Sequence, residues 1–329
     1  MKILVTGGCG FIGSHMVDRL LSEGHKVIVI DNLSTGRLKN IEHLKGNPNV
    51  ELNIHSLSDY KSILPLFKNV DQVFHYAALA DIVPSIEKPL EYHEANVNGT
   101  INLLEACRAH NVKRIIYAAS SSCYGIPDNY PTEETAPIRA QYPYAVTKYL
   151  GEEYCMYWHK VYNMNITSMR FFNVFGTRSR TSGTYGAVFG VFLAQKLKNK
   201  PFTVVGDGSQ TRDFTYVTDI VDACYTAAQN NSCIGQIMNV GSGNTYSINK
   251  LIELLGGEVI YIPKRPGEPD CTFANIKKIQ NTIGWSPKVT FEEGVKKMLE
   301  NIDYWSEAPL WEPNSIAEAT KDWFKYLSK

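Results

Sequence analysis

VTGGCGFIGSH, residues 5–15, decides the fold. It closes the apolar run KILVT (2–6) with a glycine turn and opens a segment of helical period. Gly7, Gly10 and Gly13 recur at every third position. That spacing suits a tight turn, a backbone that a pyrophosphate can approach closely, and a helix packed near the preceding strand. The start of such a helix presents unpaired N–H groups and the positive end of its dipole to the phosphates, with Phe11 and Ile12 alongside. The next apolar run, KVIVI (26–30), ends in Asp31 and Asn32. A carboxylate there accepts hydrogen bonds from both hydroxyls of a ribose. Strand, glycine turn, helix, strand and acid together predict a dinucleotide site. Asp31 would repel a 2′-phosphate, which favours NAD over NADP, although Arg37 six residues on is a candidate partner for that phosphate.

Working outward, VELNI (50–54), DQVFH (71–75), KRIIYAA (113–119) and ITSMRFF (166–172) read as further strands. Helical patterns lie between most of them, clearest in EANVNGTINLLEACRAH (94–110). Such alternation predicts right-handed βαβ units and a parallel sheet buried on both faces. Beyond about residue 173 it breaks down into Gly-, Ser- and Thr-rich stretches, with helix candidates at 247–255 and 290–305. We expect a first domain over 1–172, with return segments near 213–240, and a smaller lobe with a helical tail over 173–329.

With 329 residues, the chain is long enough for two lobes, and 44% apolar with 20% charged residues is the composition of a soluble globular protein. Lys plus Arg (33) equals Asp plus Glu (33), so nothing suggests a nucleic-acid partner. No apolar run approaches membrane-spanning length, and the chain passes from Met1 straight into a strand, so we expect no membrane association and a cytoplasmic location. Seven cysteines without a CxxC pair predict reduced thiols and no metal site.

In YPYAVTKYLGEEY (142–154), Tyr144 and Lys148 stand four apart just after Pro143. On a helix both face the same way, though this pair alone is a weak pattern. It gains meaning from order. The glycine triplet, Asp31, HYAAL (75–79), NVNGT (96–100), SSSCYG (120–125), Tyr144 with Lys148, and RFFNVFG (170–176) follow one another along the chain. In this the chain resembles the extended short-chain dehydrogenase/reductase family, and more narrowly its nucleotide-sugar 4-epimerases, which act on UDP-hexoses and UDP-N-acetylhexosamines. The resemblance fades after about residue 305.

The resemblance implies an α/β fold: a Rossmann-type doubly wound parallel sheet with a smaller α+β substrate-binding lobe. It implies NAD as cofactor, a nucleotide-diphosphate sugar as substrate, and a homodimer built on helices 94–110 and 144–162. Tyr144 would be the acid/base. Lys148 would hold the nicotinamide ribose and lower the phenol from its ordinary value near ~10. Ser120 would bond the reacting hydroxyl. Ala77 and Ala78 would let the cofactor approach, and Asn96 would either brace the nucleotide region or act as a buried cap. Ser121, Ser122 and Asn173 would line the substrate. Arg212 and Arg265, with Glu268 in the same loop as Arg265, would clamp the diphosphate, unless these are only salt bridges. Two departures stand out: Ser56 replaces an adenine-binding aspartate, with Asp59 displaced, and Ala80 replaces a lysine found in some UDP-galactose 4-epimerases.

Relatives that dehydrate the sugar usually carry Asp-Glu or Ser-Glu directly after the catalytic Thr, where this chain has Ser121 and Ser122. Cys123 is one place out of register for the cysteine of 3,5-epimerases, and reads as a small buried side chain. A 4-epimerase needs no extra acid, and that is the expected activity. The alternatives are a 4,6-dehydratase using Glu152 or Asp81, a 4-ketoreductase, or a non-catalytic dinucleotide-binding regulator. Arg178 and Arg180, in the loop 177–187, would favour a uronate if either faced the sugar. The tail, with Trp311, Trp323, Phe324 and Tyr326, is expected to dock on its own or a partner lobe.

Overall fold

The computed structural model describes residues 1–179 and 187–328. Seven strands form its central sheet: β1 (Lys2–Thr6), β2 (Lys26–Asp31), β3 (Val50–Ile54), β4 (Gln72–His75), β5 (Arg114–Ser120), β6 (Ile166–Phe171) and β7 (Ile237–Val240). Their order is β7-β6-β5-β4-β1-β2-β3 and every pairing is parallel. In register, Leu4 lies between Ile28 of β2 and Val73 of β4.

Side chains alternate between the two faces, so a sheet buried on both sides needs apolar residues at nearly every position. Ile3, Val5, Val29, Ile116 and Met238 enter one core with Met16 and Leu20 of the Phe11–Ser22 helix and Ile220 and Cys224 of the Val217–Gln229 helix. Leu4, Ile28, Val73, Ile115 and Tyr117 enter the opposite core with Leu103 and Leu104 of the Gly99–Ala109 helix and Cys155 of the Pro143–Tyr162 helix. Each fully buried aliphatic side chain of this kind contributes about 1.5–3 kcal/mol. Glu94–Asn98, read as helix from sequence, is a π-helical turn leading into the Gly99 helix.

The seventh strand comes late in the chain. After the Val217–Gln229 helix covers the sheet, Ile237–Val240 pairs with β6, setting Met238 beside Met169. Between these segments and beyond them lies the second lobe. Its short strands pair as Asn173–Phe175 with Phe214–Tyr216, and Phe202–Val205 with Val259–Ile262. An aromatic core of Phe175, Phe189, Phe214, Tyr216, Phe291 and Trp305 holds it together. The buried Asp213 carboxylate accepts from Ser242 N (2.6 Å) and Ala274 N (3.0 Å), tying distant loops of this lobe to one point.

The chain runs outward from β1 through β2 to β3, then returns to β4 on the other side of β1. The connections after β1 and β4 therefore lead to helices on opposite faces of the sheet, and a crevice opens beyond the carboxyl ends of the strands. The second lobe faces that crevice.

Candidate active site

Both lobes line one cleft of about 690 Å³. Its floor is the turn after β1. Gly7 N donates to Ile30 O (2.8 Å) and Gly10 N to Gly7 O (2.9 Å), which pins the turn to β2 and closes it. Gly7 has φ +68°, and a Cβ there would lie 2.8 Å from Ala77 N, so the β1 and β4 loops meet only because neither carries bulk. Gly7, Gly10, Phe11, Ile12, Gly13, Ala77 and Ala78 all border the cleft.

Asp31 also borders it. Its carboxylate accepts from Cys9 N (2.9 Å) and Leu33 N (2.8 Å), which fixes its direction. Burial pushes its pKa up and those two N–H groups pull it back. Gly36, which sequence reasoning passed over, must be glycine, because a Cβ would lie 2.6 Å from Asp31 Oδ1. Asn32 lines the cleft and holds the same turn by accepting from Ser34 N (3.0 Å). Arg37 is engaged elsewhere: its guanidinium lies 4.6 Å from the Tyr304 ring centre and donates to the Tyr304 hydroxyl. Ser56 borders the cleft, while Asp59 caps the Tyr60–Ile63 helix by accepting from Ser62 N (3.2 Å).

Asn96 does not itself line the cleft; its side chain accepts from Leu79 N (2.8 Å) and donates to Leu79 O (3.0 Å) and Thr147 Oγ1 (3.0 Å). It braces the loop after β4 against the helix that carries Tyr144, because both its amide ends are spent on that contact.

That helix begins with Pro143 at its first position and ends where Asn163 adopts the left-handed conformation (φ 55°). Gly151 lets it sit tightly on β5, since a Cβ would lie 2.3 Å from Tyr117 Oη. Tyr117 Oη donates to Lys148 O (3.1 Å), and Lys148 Nζ lies 4.5 Å from the Tyr117 ring centre. The ring thus seats the ammonium where Lys148 meets the cleft. Burial lowers Lys148 to about 8. Burial also raises the Tyr144 phenol, and a hydrogen bond from Ser120 pulls it part way back. Desolvation is the largest of the influences on the phenol. Ser120 Oγ stands 2.8 Å from Ser122 Oγ and accepts from Ser122 N (3.2 Å), so the serine run presents hydroxyls to the cleft beside Tyr144.

At the far end, Arg212 Nη2 donates to Glu268 Oε1 (2.8 Å) and Arg265 Nη1 stands 3.6 Å from Glu268 Oε2. Two guanidinium groups share one carboxylate, leaving a net positive cluster on the cleft wall. Asn173 lines the same end and accepts from Thr272 Oγ1 (2.7 Å). Ser121 and Ser122 also border the cleft.

The two proposed elimination acids part ways. Glu152 is buried against Arg170 (Nη2 to Oε1, 2.5 Å) and Ser168 (2.7 Å) and does not border the cleft. Asp81 does border it, at the start of the Ile82–Glu87 helix, and its charge helps raise the Tyr144 phenol. Arg178 pairs with Asp18 (2.7 Å) on the first helix and is absent from the cleft lining. Arg180 lies outside the described residues. Sequence reasoning also missed Tyr142 and Trp323; Tyr142's place beside the YxxxK pair was the one available signal.

Comparison with known proteins agrees with this geometry. The family model described as GDP-mannose 4,6 dehydratase matches residues 4–298. A UDP-glucose 4-epimerase of Mycolicibacterium smegmatis is 34% identical over 309 residues, covering 91% of this chain and 98% of that protein. The solved UDP-N-acetylglucosamine 4-epimerase of Methanobrevibacter ruminantium M1, in complex with UDP-N-acetylmuramic acid, superposes with a TM-score of 0.85 at 34% identity, covering 91% of this chain and 98% of that one. The UDP-glucuronic acid 4-epimerase of Bacillus cereus, in complex with UDP-glucuronic acid and NAD, gives 0.85 at 32% identity, covering 93% and 99%. The glycine turn, the Tyr144–Lys148 helix and these likenesses lead to one conclusion: the chain belongs to the extended short-chain dehydrogenase/reductase family, in its nucleotide-sugar epimerase and dehydratase branch.

Proposed function

We propose that this protein is an NAD-dependent nucleotide-sugar 4-epimerase. The observation that carries the reading is the pairing of Tyr144 with a run of three serines, Ser120–Ser122, while Glu152 is locked onto Arg170. The cleft floor suits a dinucleotide: the glycine turn offers bare backbone for a pyrophosphate to approach, and the fixed Asp31 carboxylate would accept from the ribose hydroxyls. When bound there, NAD accepts the C4 hydride and gives it back.

Tyr144 Oη takes the proton of the 4-hydroxyl as that hydride leaves, and returns it to the same oxygen when the hydride comes back to the other face of the 4-keto sugar. Ser120 steadies that oxygen by hydrogen bonding. The Lys148 ammonium, seated on Tyr117, supplies positive charge that favours the phenolate. Arg212 and Arg265 hold the diphosphate through charge-assisted bonds, so the sugar can turn over while its nucleotide stays fixed. Asp31 and the Tyr304-held Arg37 favour NAD over NADP.

Asp81 supports a second reading, a 4,6-dehydratase in which that group takes the C5 proton or gives a proton to the departing C6 hydroxyl. Incubation with UDP-glucose, UDP-N-acetylglucosamine and UDP-glucuronate without added cofactor separates the two. A reversible pair of 4-epimers is the expected product, and a 4-keto-6-deoxy sugar would replace this reading with the second.

A homodimer through the Gly99–Ala109 and Pro143–Tyr162 helices is part of the proposal, supported by Tyr157 (63% exposed) and Val161 (54% exposed) on the second of them. Seven free cysteines, six of them buried, suit a reducing, cytoplasmic setting.

A further inference from the structure

The segment beyond residue 305 is the one stretch to which the motifs assign no role, and the family match ends at residue 298. It is not a loose appendage. Pro313–Ala319 sinks Ile316 into the aromatic core of the second lobe. The chain then turns, and Lys321–Leu327 packs against the Ile82–Glu87 helix of the first lobe. The tail thus spans the cleft from one lobe to the other, and Trp311 and Trp323 form part of the cleft lining.

Trp323 is the point of contact. It is 3% exposed, and its Nε1 donates to Pro266 O at 2.7 Å, in the loop that carries Arg265 and Glu268. The Arg265 guanidinium lies 5.4 Å from the Trp323 ring centre. The Tyr142 ring centre lies 6.3 Å from that of Trp323, and Tyr142 is itself stacked at 6.3 Å on Tyr144, with the two rings 6° from parallel. One indole therefore touches the loop backbone, the clamp arginine and the neighbour of the catalytic phenol.

We propose that Trp323 is a positioning residue for substrate: it holds the Arg265 guanidinium ready for the diphosphate of the nucleotide sugar. The inference rests on the nucleotide-sugar reading above. The physical basis is preorganisation. A guanidinium stacked on an aromatic face and tethered at its tip to Glu268 has few conformations left to lose when an anion arrives. Removing the indole frees both the side chain and, through the lost bond to Pro266 O, the loop that carries it.

The test is a double-substitution cycle on the full chain, read by UDP affinity in calorimetry and by kcat and KM for the nucleotide sugar. Trp323→Ala is expected to weaken UDP binding and raise KM about tenfold, with kcat changed less than about threefold and bound dinucleotide retained. Trp323→Phe, which keeps a ring but loses the N–H donor, should fall between, at about threefold, and carries the comparison if the alanine variant does not fold. In an Arg265→Ala background the further loss on Trp323→Ala should shrink to less than about twofold, because Trp323 acts through Arg265. Unchanged UDP affinity in both Trp323 variants, or a full additive loss in the Arg265→Ala background, overturns the inference alone. Failure of the unaltered protein to bind UDP, GDP and dTDP alike overturns the nucleotide-sugar reading and this inference with it.

Discussion

Gly13 approaches Gly7 so closely that a Cβ on Gly13 would lie 2.1 Å from the Gly7 carbonyl oxygen. Both partners are backbone in a hydrogen-bonded turn, so neither can swing aside. Gly13→Ala is therefore expected to cost about 1–3 kcal/mol of stability by overpacking. It should also empty the protein of dinucleotide, because the turn that receives the pyrophosphate must open. Urea unfolding and extraction of bound cofactor measure the two effects separately.

The Glu152–Arg170 pair predicts a stability defect without a chemical one. Its carboxylate and guanidinium are buried together, and Arg170 also donates to Tyr124 Oη (2.8 Å). Removing one partner strands the other charge in the interior, at a cost of about 3–5 kcal/mol. Glu152→Ala should show that loss in denaturant titration, and any folded fraction should keep near-normal kcat. A kcat collapse in well-folded protein would restore Glu152 as a catalytic acid.

Cofactor choice follows from Asp31. A 2′-phosphate brought against this fixed carboxylate meets like-charge repulsion of several kcal/mol. Asp31→Ser should shift the NAD-to-NADP affinity ratio by about a hundredfold toward NADP. Adding Tyr304→Phe, which removes a hydroxyl that engages Arg37, should push it further. Dinucleotide titration on cofactor-stripped protein gives the ratio.

His75 makes the fold acid-sensitive. Its ring is buried between Thr6 Oγ1 (2.8 Å) and Thr100 Oγ1 (3.0 Å), and burial, aided by Lys148, lowers its pKa from 6.5 to about 3. Between those values the unfolded chain binds a proton that the folded one refuses. Stability is therefore full above about pH 6.5 and falls as pH drops toward about 3. His75→Gln should remove about 2 kcal/mol of the wild-type stability difference between about pH 7 and about pH 5. Parallel denaturant curves at the two pH values decide it.

The sequence revealed local chemistry and hid long-range contact. Five of the seven sheet strands stand out because burial on both faces demands near-continuous apolar runs, and the edge strand VELNI stands out by its alternation although Leu52 and Ile54 are exposed. The seventh, IMNV, escapes because Asn239 interrupts its run. In the structure that side chain is buried and satisfied, accepting from Tyr124 Oη (2.7 Å) and donating to Thr132 O (2.9 Å). Tyr144 and Lys148 are legible because four residues of helix place them on one face. Glu152 shares that face by the same arithmetic, yet what disarms it is Arg170 on another element. Trp323 meets Pro266 across 57 positions, and Asp213 meets Ala274 across 61, distances no local pattern encodes. Tertiary partners, not periodicity, decide which side chains of a motif reach the cleft.

The most direct measurement follows a deuterium placed at C4 of the nucleotide sugar. An epimerase that returns its own hydride gives both 4-epimers with deuterium still at C4, and Tyr144→Phe should abolish the exchange of epimers while leaving the protein folded. Deuterium found at C6 of a 4-keto-6-deoxy product would contradict the account and assign the protein to dehydration. Loss of the label to free reduced cofactor would contradict it as well, and mark a reductase working one way.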